Sequence, residues 1–159
     1  MMKNLFQILC GLFLVVSYSS CMHSEEDKVD VLIIGGGASG VTSGIQSARM
    51  GANTLILEES TWLGGMLTSA GVSAVDGNYR LPAGLWGEFK NRLSDYYGGL
   101  DSLKTGWVSN VLFEPSVGNK ILHEMVAAEN NLKVWKQACL EEVKRTGDEW
   151  VAKVKVEGL

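Results

Sequence analysis

Apolar runs and polar breaks along the 159-residue chain predict strands alternating with helices. VDVLII at 29–34 and NTLILEE at 53–59 are short, apolar and rich in β-branched residues, which is typical of parallel strands buried on both faces. We expect the first of them to lie in the middle of a sheet. Between them, residues 38–50 have the length of a helix, and Gly51 stands where a glycine commonly ends one. The order of strand, turn, helix and strand predicts an α/β domain.

The rest of the chain shows two more helical stretches and a hairpin. The first helix is predicted over 84–97, with a stripe that we expect in the core, formed by Leu85, Trp86, Phe89, Leu93 and Tyr96. The second follows FEPS and covers about 117–130. LKVWKQ, ACLEEVKR and WVAKVKVEG, with a turn at TGDE, predict a strand followed by an antiparallel hairpin.

The turn after the first strand carries a dinucleotide-binding pattern. Its glycines have the spacing G-x-G-x-x-G, in which the first makes a tight turn, the second admits a pyrophosphate and the third lets helix and strand pack closely. The amides that follow belong to the first turn of a helix, whose unpaired N–H groups and dipole favour an anion. The candidate phosphate-binding residues are therefore Gly35, Gly37, Ala38, Ser39 and Gly40.

The second strand ends in an acid that completes this pattern. Glu58 lies 18 residues after Gly40, close to the ~20 expected for the acid that accepts hydrogen bonds from an adenosine ribose. Gly44 falls on the helix face that packs against the strand. No Gly-Lys-Ser/Thr follows the glycines, which excludes a nucleoside triphosphate P-loop.

These residues, followed by Gly64-Gly65 in STWLGGMLTSAG, resemble the start of FAD-dependent oxidoreductases with a glutathione reductase or fumarate reductase type of Rossmann domain. LWGEFKNRL and FEPSVGNKILHEMVAAENNLKVW are similar to later segments of that family. Ser116 and Gly118 depart from its pattern, since an acid is usual after the proline. The resemblance runs from about Asp30 to the C-terminus.

The resemblance implies a Rossmann-type domain with a parallel sheet and a small antiparallel β layer, binding FAD for hydride transfer from an organic substrate. It implies that Gly64 and Gly65 line the path from the pyrophosphate to the isoalloxazine, and that the backbone near Leu140 approaches the adenine. Some relatives attach the flavin covalently, but no histidine or cysteine lies between Ser60 and Thr105, so non-covalent FAD is implied.

Two other interpretations stay open at this point. One is an NAD(P)-binding domain, although the next strand after 53–59 is predicted only at about Leu132. The other is a non-catalytic, truncated nucleotide-binding remnant, since the flavoproteins that the chain resembles are several times longer. We expect this chain alone to be an incomplete enzyme.

Composition narrows the class of partner. The chain is 46% hydrophobic and 20% charged with a formal net charge of −4, as in an ordinary globular domain. It offers no basic surface for nucleic acid. The partner that we expect is a small-molecule substrate, which the sequence does not identify.

The first residues read as an export signal. After Lys3, Leu5–Val16 is an apolar run of twelve, too short to span a bilayer, so residues 1–20 are predicted to be a signal peptide. Cys21, preceded by Ser19 and Ser20, resembles the lipidated cysteine of bacterial lipoproteins. We therefore expect a tether over 21–28, a domain over 29–159, and a lipid anchor in the cell envelope. The alternative is a periplasmic or secreted protein.

No catalytic side chain stands out. Cys139 has no cysteine partner in the mature chain and lies in a predicted strand, where we expect a small buried residue. His23 lies in the tether, and His123 is predicted to be a solvated residue on the polar side of its helix. The sequence therefore predicts no metal site and no acid/base residue.

Overall fold

Parallel strands, helices and a hairpin follow one another in the order that the sequence predicts. The computed structural model describes residues 26–77, 79–107 and 109–157, so the predicted signal peptide and Cys21 lie outside the described residues. The strands and helices are β1 (Val31–Ile34), α1 (Ala38–Arg49), β2 (Thr54–Glu58), α2 (Gly84–Tyr97), α3 (Pro115–Ala127), β3 (Leu132–Lys136), β4 (Ala138–Thr146) and β5 (Glu149–Val156). Short 3₁₀ helices occupy Gly65–Leu67 and Leu100–Leu103.

The parallel sheet has the order β1-β2-β3. Leu55 of β2 lies opposite Leu32 of β1 and Lys133 of β3. As predicted, β2 is buried on both faces, with Leu55, Ile56 and Leu57 each exposed by 3% or less. The prediction for β1 is wrong in the described part of the chain, where β1 is an edge strand. Its residues 31–33 are half-buried, and Ile34 is 58% exposed.

The three helices cover one face of the sheet and form the larger core. Ile45 of α1, Phe89 and Leu93 of α2, and Leu122 and Met125 of α3 are buried together there. The predicted stripe on α2 is thus confirmed at its centre, whereas Tyr96 at its end is 54% exposed. None of the helices in the described ranges combines the length and apolarity that a bilayer crossing requires.

Two basic side chains connect the helices with the segments around them. The Arg49 guanidinium at the end of α1 bonds to Glu88 of α2 at 2.9 Å and to Glu129 just after α3 at 2.7 Å. Lys90 is 6% exposed, and its Nζ donates to the carbonyl oxygens of Tyr79 and Leu81 at 2.7 Å each. Lys90 therefore fixes the loop that leads into α2.

The antiparallel β4–β5 hairpin covers the other face of the sheet. Leu140, Val154 and Val156 pack against Leu55 and Leu57 of β2. Gln137, with φ of 53°, makes the bend between β3 and β4. The predicted burial of Cys139 is wrong: it is exposed, because side chains alternate along β4 and its neighbours Ala138 and Leu140 face the sheet.

Candidate functional site

The glycine turn between β1 and α1 is built on two tight backbone contacts. Gly35 has φ of +97°, a conformation that favours glycine, and its N–H donates to the carbonyl oxygen of Leu57 at 2.8 Å. At Gly40, an added Cβ would lie 1.9 Å from the carbonyl oxygen of Gly35. Both glycines are therefore required by the turn itself and by the close packing of α1 against it.

Gly37 has no such internal reason to be a glycine. Its φ of −64° and ψ of 178° suit any residue, and an added Cβ would meet nothing within 4 Å. The residue faces open space, so a side chain there would fill room that is otherwise free for a ligand. A glycine at this place is what close approach of a ligand to the backbone requires.

The start of α1 faces the same open space with unused hydrogen-bond donors. Gly37 is the N-cap residue, no side chain caps the helix, and no acid lies in its first turn. The first amides of a helix have no acceptor within the helix, and the dipole makes this end positive. Ala38, Ser39 and Gly40 therefore present N–H groups suited to an anionic group.

The second glycine turn, Gly64-Gly65, lies directly against the first. The N–H of Gly64 donates to the carbonyl oxygen of Gly36 at 2.8 Å. The φ values of Gly64 and Gly65 are +103° and +53°, and a Cβ on Gly65 would lie 3.1 Å from Cα of Gly37. The two predicted turns thus pack directly against each other.

A side chain from α3 bonds to the backbone just before this second turn. Asn119 Oδ1 accepts a hydrogen bond from the N–H of Leu63 at 2.9 Å. Gly118, which departs from the family pattern, leaves space for the ring of Phe113, because an added Cβ would lie 2.5 Å from it. Tight packing therefore accounts for glycine at position 118.

Glu58 connects the ends of β1 and β2. Its Oε2 accepts a hydrogen bond from the N–H of Gly36 at 2.7 Å, and its Oε1 accepts one from Ser60 at 2.8 Å. Each carboxylate oxygen keeps a second lone pair that could accept from a ligand hydroxyl. Sequence reasoning missed Gly36, where a Cβ would lie 2.9 Å from Glu58 Oε2. The run of three glycines was its only signal.

A cleft of about 210 Å³ opens at the carboxyl ends of the strands, beside Glu58. It brings together three predicted site residues, Gly35, Glu58 and Leu140. Its walls are largely aliphatic and its lining includes carboxylates, which suits a flat ring joined to a hydroxyl-bearing sugar. The other lining residues, which sequence reasoning missed although they adjoin predicted ones, are Ile34, Leu57, Glu59 and Ala138.

Two titratable side chains, those of Cys139 and His123, have shifted pKa values. The Cys139 thiol lies 3.5 Å from Glu59 Oε1, and this hydrogen bond raises the pKa of the thiol. His123 is half-buried rather than solvated as predicted, and burial, followed by the positive charge of Lys136, lowers its pKa. Neither group is therefore charged near neutral pH, and His123 does not line the cleft.

None of the described residues in the loop after the second glycine turn lines the cleft. Ser69 Oγ donates back to the carbonyl oxygen of Gly65 at 3.2 Å, and Arg80 Nε donates to the Tyr79 hydroxyl at 3.1 Å. Within the described residues, no three His, Cys, Asp or Glu side chains come together as metal ligands would. The polar groups that this candidate site offers to a ligand are therefore the amides at the start of α1 and the carboxylates of Glu58 and Glu59.

Several solved structures share this fold. The chain is similar to AlpK, with 15% identity and a TM-score of 0.56, over 84% of this chain and 29% of that one. It is similar to OxyS anhydrotetracycline hydroxylase from Streptomyces rimosus, with 16% identity and a TM-score of 0.55, over 81% and 28% of the two chains. The similarity to p-nitrophenol 4-monooxygenase PnpA from Pseudomonas putida DLL-E4 has 13% identity and a TM-score of 0.50, over 80% and 36%.

The chain therefore spans about a third or less of the length of these structures. No curated protein sequence matches it. The profile of one protein family, described as FAD dependent oxidoreductase, matches residues 30–159. That match covers both glycine turns, Glu58 and the hairpin, and its described cofactor is the one that the resemblance in the sequence implies. The chain belongs to the family of FAD dependent oxidoreductases.

Proposed function

We propose that this chain forms the adenosine- and pyrophosphate-binding part of an FAD-dependent enzyme, of the glutathione reductase type of Rossmann domain, that oxidises a small organic substrate. The observation that carries the proposal is Gly37, whose glycine identity is unexplained by backbone conformation or packing but is explained by a ligand at its Cα. Bound FAD would supply hydride acceptance. The residues of this chain bind and orient the cofactor.

The two glycine turns have different tasks in this proposal. Gly35 and Gly40 shape the first turn, Gly37 admits the pyrophosphate, and the amides of Ala38 and Ser39 bind its negative charge. Gly64 and Gly65, which lie against the first turn, line the path toward the flavin ring.

The cleft residues take the nucleoside. Glu58 accepts hydrogen bonds from the ribose hydroxyls while it also holds the Gly36 and Ser60 amides. Leu140 of β4 lines the cleft together with Glu58 and contacts the adenine. The cleft is smaller than the ~300–1,000 Å³ of sites that enclose a whole drug-sized ligand. It therefore accommodates the adenosine half of FAD.

The binding experiment compares nucleotides that contain different parts of FAD. We expect the mature chain, titrated by calorimetry, to bind ADP about as tightly as FAD, because the site contacts the adenosine and pyrophosphate. AMP should bind more weakly, because it lacks the second phosphate that the α1 amides bind. NADPH should bind more weakly than FAD, because Glu58 repels a 2′-phosphate. Tighter binding of NADPH than of FAD would show that this is a nicotinamide site.

We further propose that the protein is exported and anchored in the cell envelope through a lipid on Cys21. Support comes from the apolar run Leu5–Val16, the small residues Ser19 and Ser20, and the short polar segment that follows the cysteine. In this proposal residues 1–20 are removed, residues 21–28 form the tether, and residues 29–159 form the FAD-binding domain. Its partners are a small-molecule substrate and the membrane, not nucleic acid.

Metabolic labelling with a palmitate analogue tests the anchor. We expect the full chain expressed in a bacterium to incorporate the label and to fractionate with membranes, because the thiol of Cys21 receives the lipid. The Cys21→Ala variant should lose both properties, whereas Cys139→Ala should keep them as the matched control. Label that persists in Cys21→Ala, or an unlabelled soluble wild type, would contradict the proposal.

A further inference from the structure

We propose that the tip of the β4–β5 hairpin is a membrane-contact surface with Trp150 at its centre. The inference rests on the lipid anchor proposed at Cys21. It concerns how the domain sits on the bilayer, and it comes from three features: exposed Trp150 and Val143 at the tip, the position of the tether, and the length of chain between the anchor and the domain.

The apolar face of the hairpin continues beyond the part that covers the sheet. The pairs Val143–Ala152 and Arg145–Trp150 place Val143, Ala152 and Trp150 on the same face as Leu140 and Val154. Leu140 and Val154 pack on the sheet, but Trp150 is 70% exposed and Val143 is 42% exposed. The distal half of this face therefore carries Val143, Ala152 and Trp150, with Arg145 opposite Trp150, and it is uncovered within the described residues.

The tether reaches the domain at this same tip. Lys28 Nζ lies 2.5 Å from Glu149 Oε1, and Glu149 immediately precedes Trp150. Both carboxylate oxygens of Asp27 accept hydrogen bonds from Lys133 Nζ at 3.0 Å, beside the start of β3. The chain therefore enters the domain beside the hairpin tip, next to Trp150.

The distance from the anchor to the tip is short. Asp27 is the sixth residue after Cys21, and six steps of ~3.3–3.6 Å per residue span at most about 22 Å. A lipid on Cys21 thus keeps Asp27 within about 22 Å of the bilayer surface, and the next residue, Lys28, bonds to Glu149 at the tip. This restriction gives a weak surface contact a high effective concentration.

The chemistry of the tip suits the interfacial layer of a bilayer rather than an ionic partner. Tryptophan is enriched at membrane interfaces, where its ring is buried and its N–H stays hydrated. The charges around it balance, with four acids and four bases between residues 141 and 155: Glu141, Glu142, Asp148 and Glu149, and Lys144, Arg145, Lys153 and Lys155. We therefore expect contact that depends little on anionic lipid or salt.

The proposal also orients the cofactor site. The three sheet strands are parallel, so their amino ends share one edge of the sheet and their carboxyl ends share the other. The tether joins at the amino edge, whereas the cleft lies beside Ile34 and Glu58 at the carboxyl edge. With the hairpin tip on the bilayer, the cofactor site opens away from it, toward substrates dissolved in water.

Quenching by brominated lipid tests the contact. The chain from Cys21 onward, with Cys139→Ser so that only Cys21 reacts, is coupled to a maleimide lipid in phosphatidylcholine vesicles with brominated acyl chains. We expect quenching of about one fifth of the tryptophan emission, the share of one among five tryptophans. Trp150→Tyr should abolish the quenching. Trp107→Tyr, which removes a tryptophan that is 97% exposed elsewhere, should preserve it.

The outcomes separate this proposal from the others. Coupling is chemical, so the result does not depend on acylation of Cys21 in cells, and ADP titration of the same vesicles reports the cofactor site independently. Quenching that survives Trp150→Tyr, or no quenching in the anchored parent chain, would overturn the membrane contact. If Trp150 is protected from iodide but is not quenched by the brominated lipid, another polypeptide surface covers the tip. That result would also overturn the membrane contact.

Discussion

The Gly40→Ala substitution is expected to destabilise the domain by about 3 kcal/mol, the upper part of the range for overpacking a closely packed site. The new Cβ would lie 1.9 Å from the carbonyl oxygen of Gly35. That oxygen belongs to a backbone held by the bond from the Gly35 N–H to Leu57, so relief requires α1 to move away from the turn. Thermal unfolding should show a fall of about 10 °C in the melting temperature.

Gly37→Ala is the matched control, because it adds the same methyl group three residues earlier on the same turn. Its backbone suits alanine and the new Cβ meets nothing within 4 Å, so the free energy of unfolding should change by less than about 0.5 kcal/mol. FAD and ADP affinity should nevertheless fall by about tenfold or more, since a misplaced ligand loses at least ~1.4 kcal/mol. Equal affinity in Gly37→Ala and wild type would remove the observation on which the proposed function depends.

Short-range patterns in the sequence predict those helices whose ends depend on neighbouring residues. The predicted bounds of α2, 84–97, agree with the structure, because periodic apolar residues and the glycine pair after Tyr97 define both ends. The end predicted for α3, at about 130, is three residues too late, since the helix ends at Ala127. There the side chain of Asn131 donates to the carbonyl oxygens of Ala48 and Ala52, a contact with a distant segment that fixes where β3 begins.

Strand order and facing depend on contacts that an isolated run of residues does not contain. VDVLII reads as a buried strand wherever it lies, yet among the described strands β1 is at an edge, because β3 pairs with β2 and not with the outer side of β1. The burial prediction for Cys139 had the right element and the wrong face, since the bend at Gln137 sets which residues of β4 face the sheet.

The glycine spacing predicts the turn on which the candidate site is built but not its internal connections. Gly35, Gly37, Gly40 and Glu58 follow a pattern that sequence alone reveals. The bonds of Glu58 to Gly36 and Ser60 do not, because they need the carboxyl ends of β1 and β2 to be placed side by side. Ile34 and Glu59 line the cleft for the same reason.

The Glu58→Ala substitution is expected to weaken FAD binding by ~1.5–3 kcal/mol, the range for hydrogen bonds to charged groups. This corresponds to a loss of about 10-fold to 150-fold in affinity. Removal of the carboxylate takes away acceptors for the ribose, and it also leaves the Gly36 and Ser60 amides without the partners that position the glycine turn. Calorimetric titration with FAD, ADP and NADPH measures the change.

Two variants separate the double role of Glu58 from simple negative charge. Glu59→Ala removes a neighbouring carboxylate that also lines the cleft but accepts its bond from the Cys139 thiol rather than from a backbone amide, so it should change FAD affinity only a few-fold. Glu58→Gln keeps the shape, yet its NH₂ group must face either the Gly36 N–H or the Ser60 N–H, and two donors repel. We therefore expect Glu58→Gln to bind FAD nearly as weakly as Glu58→Ala, while both variants discriminate less against the 2′-phosphate of NADPH. Wild-type affinity in Glu58→Gln would show that the two amides do not depend on the carboxylate, and that Glu58 acts on the ribose alone.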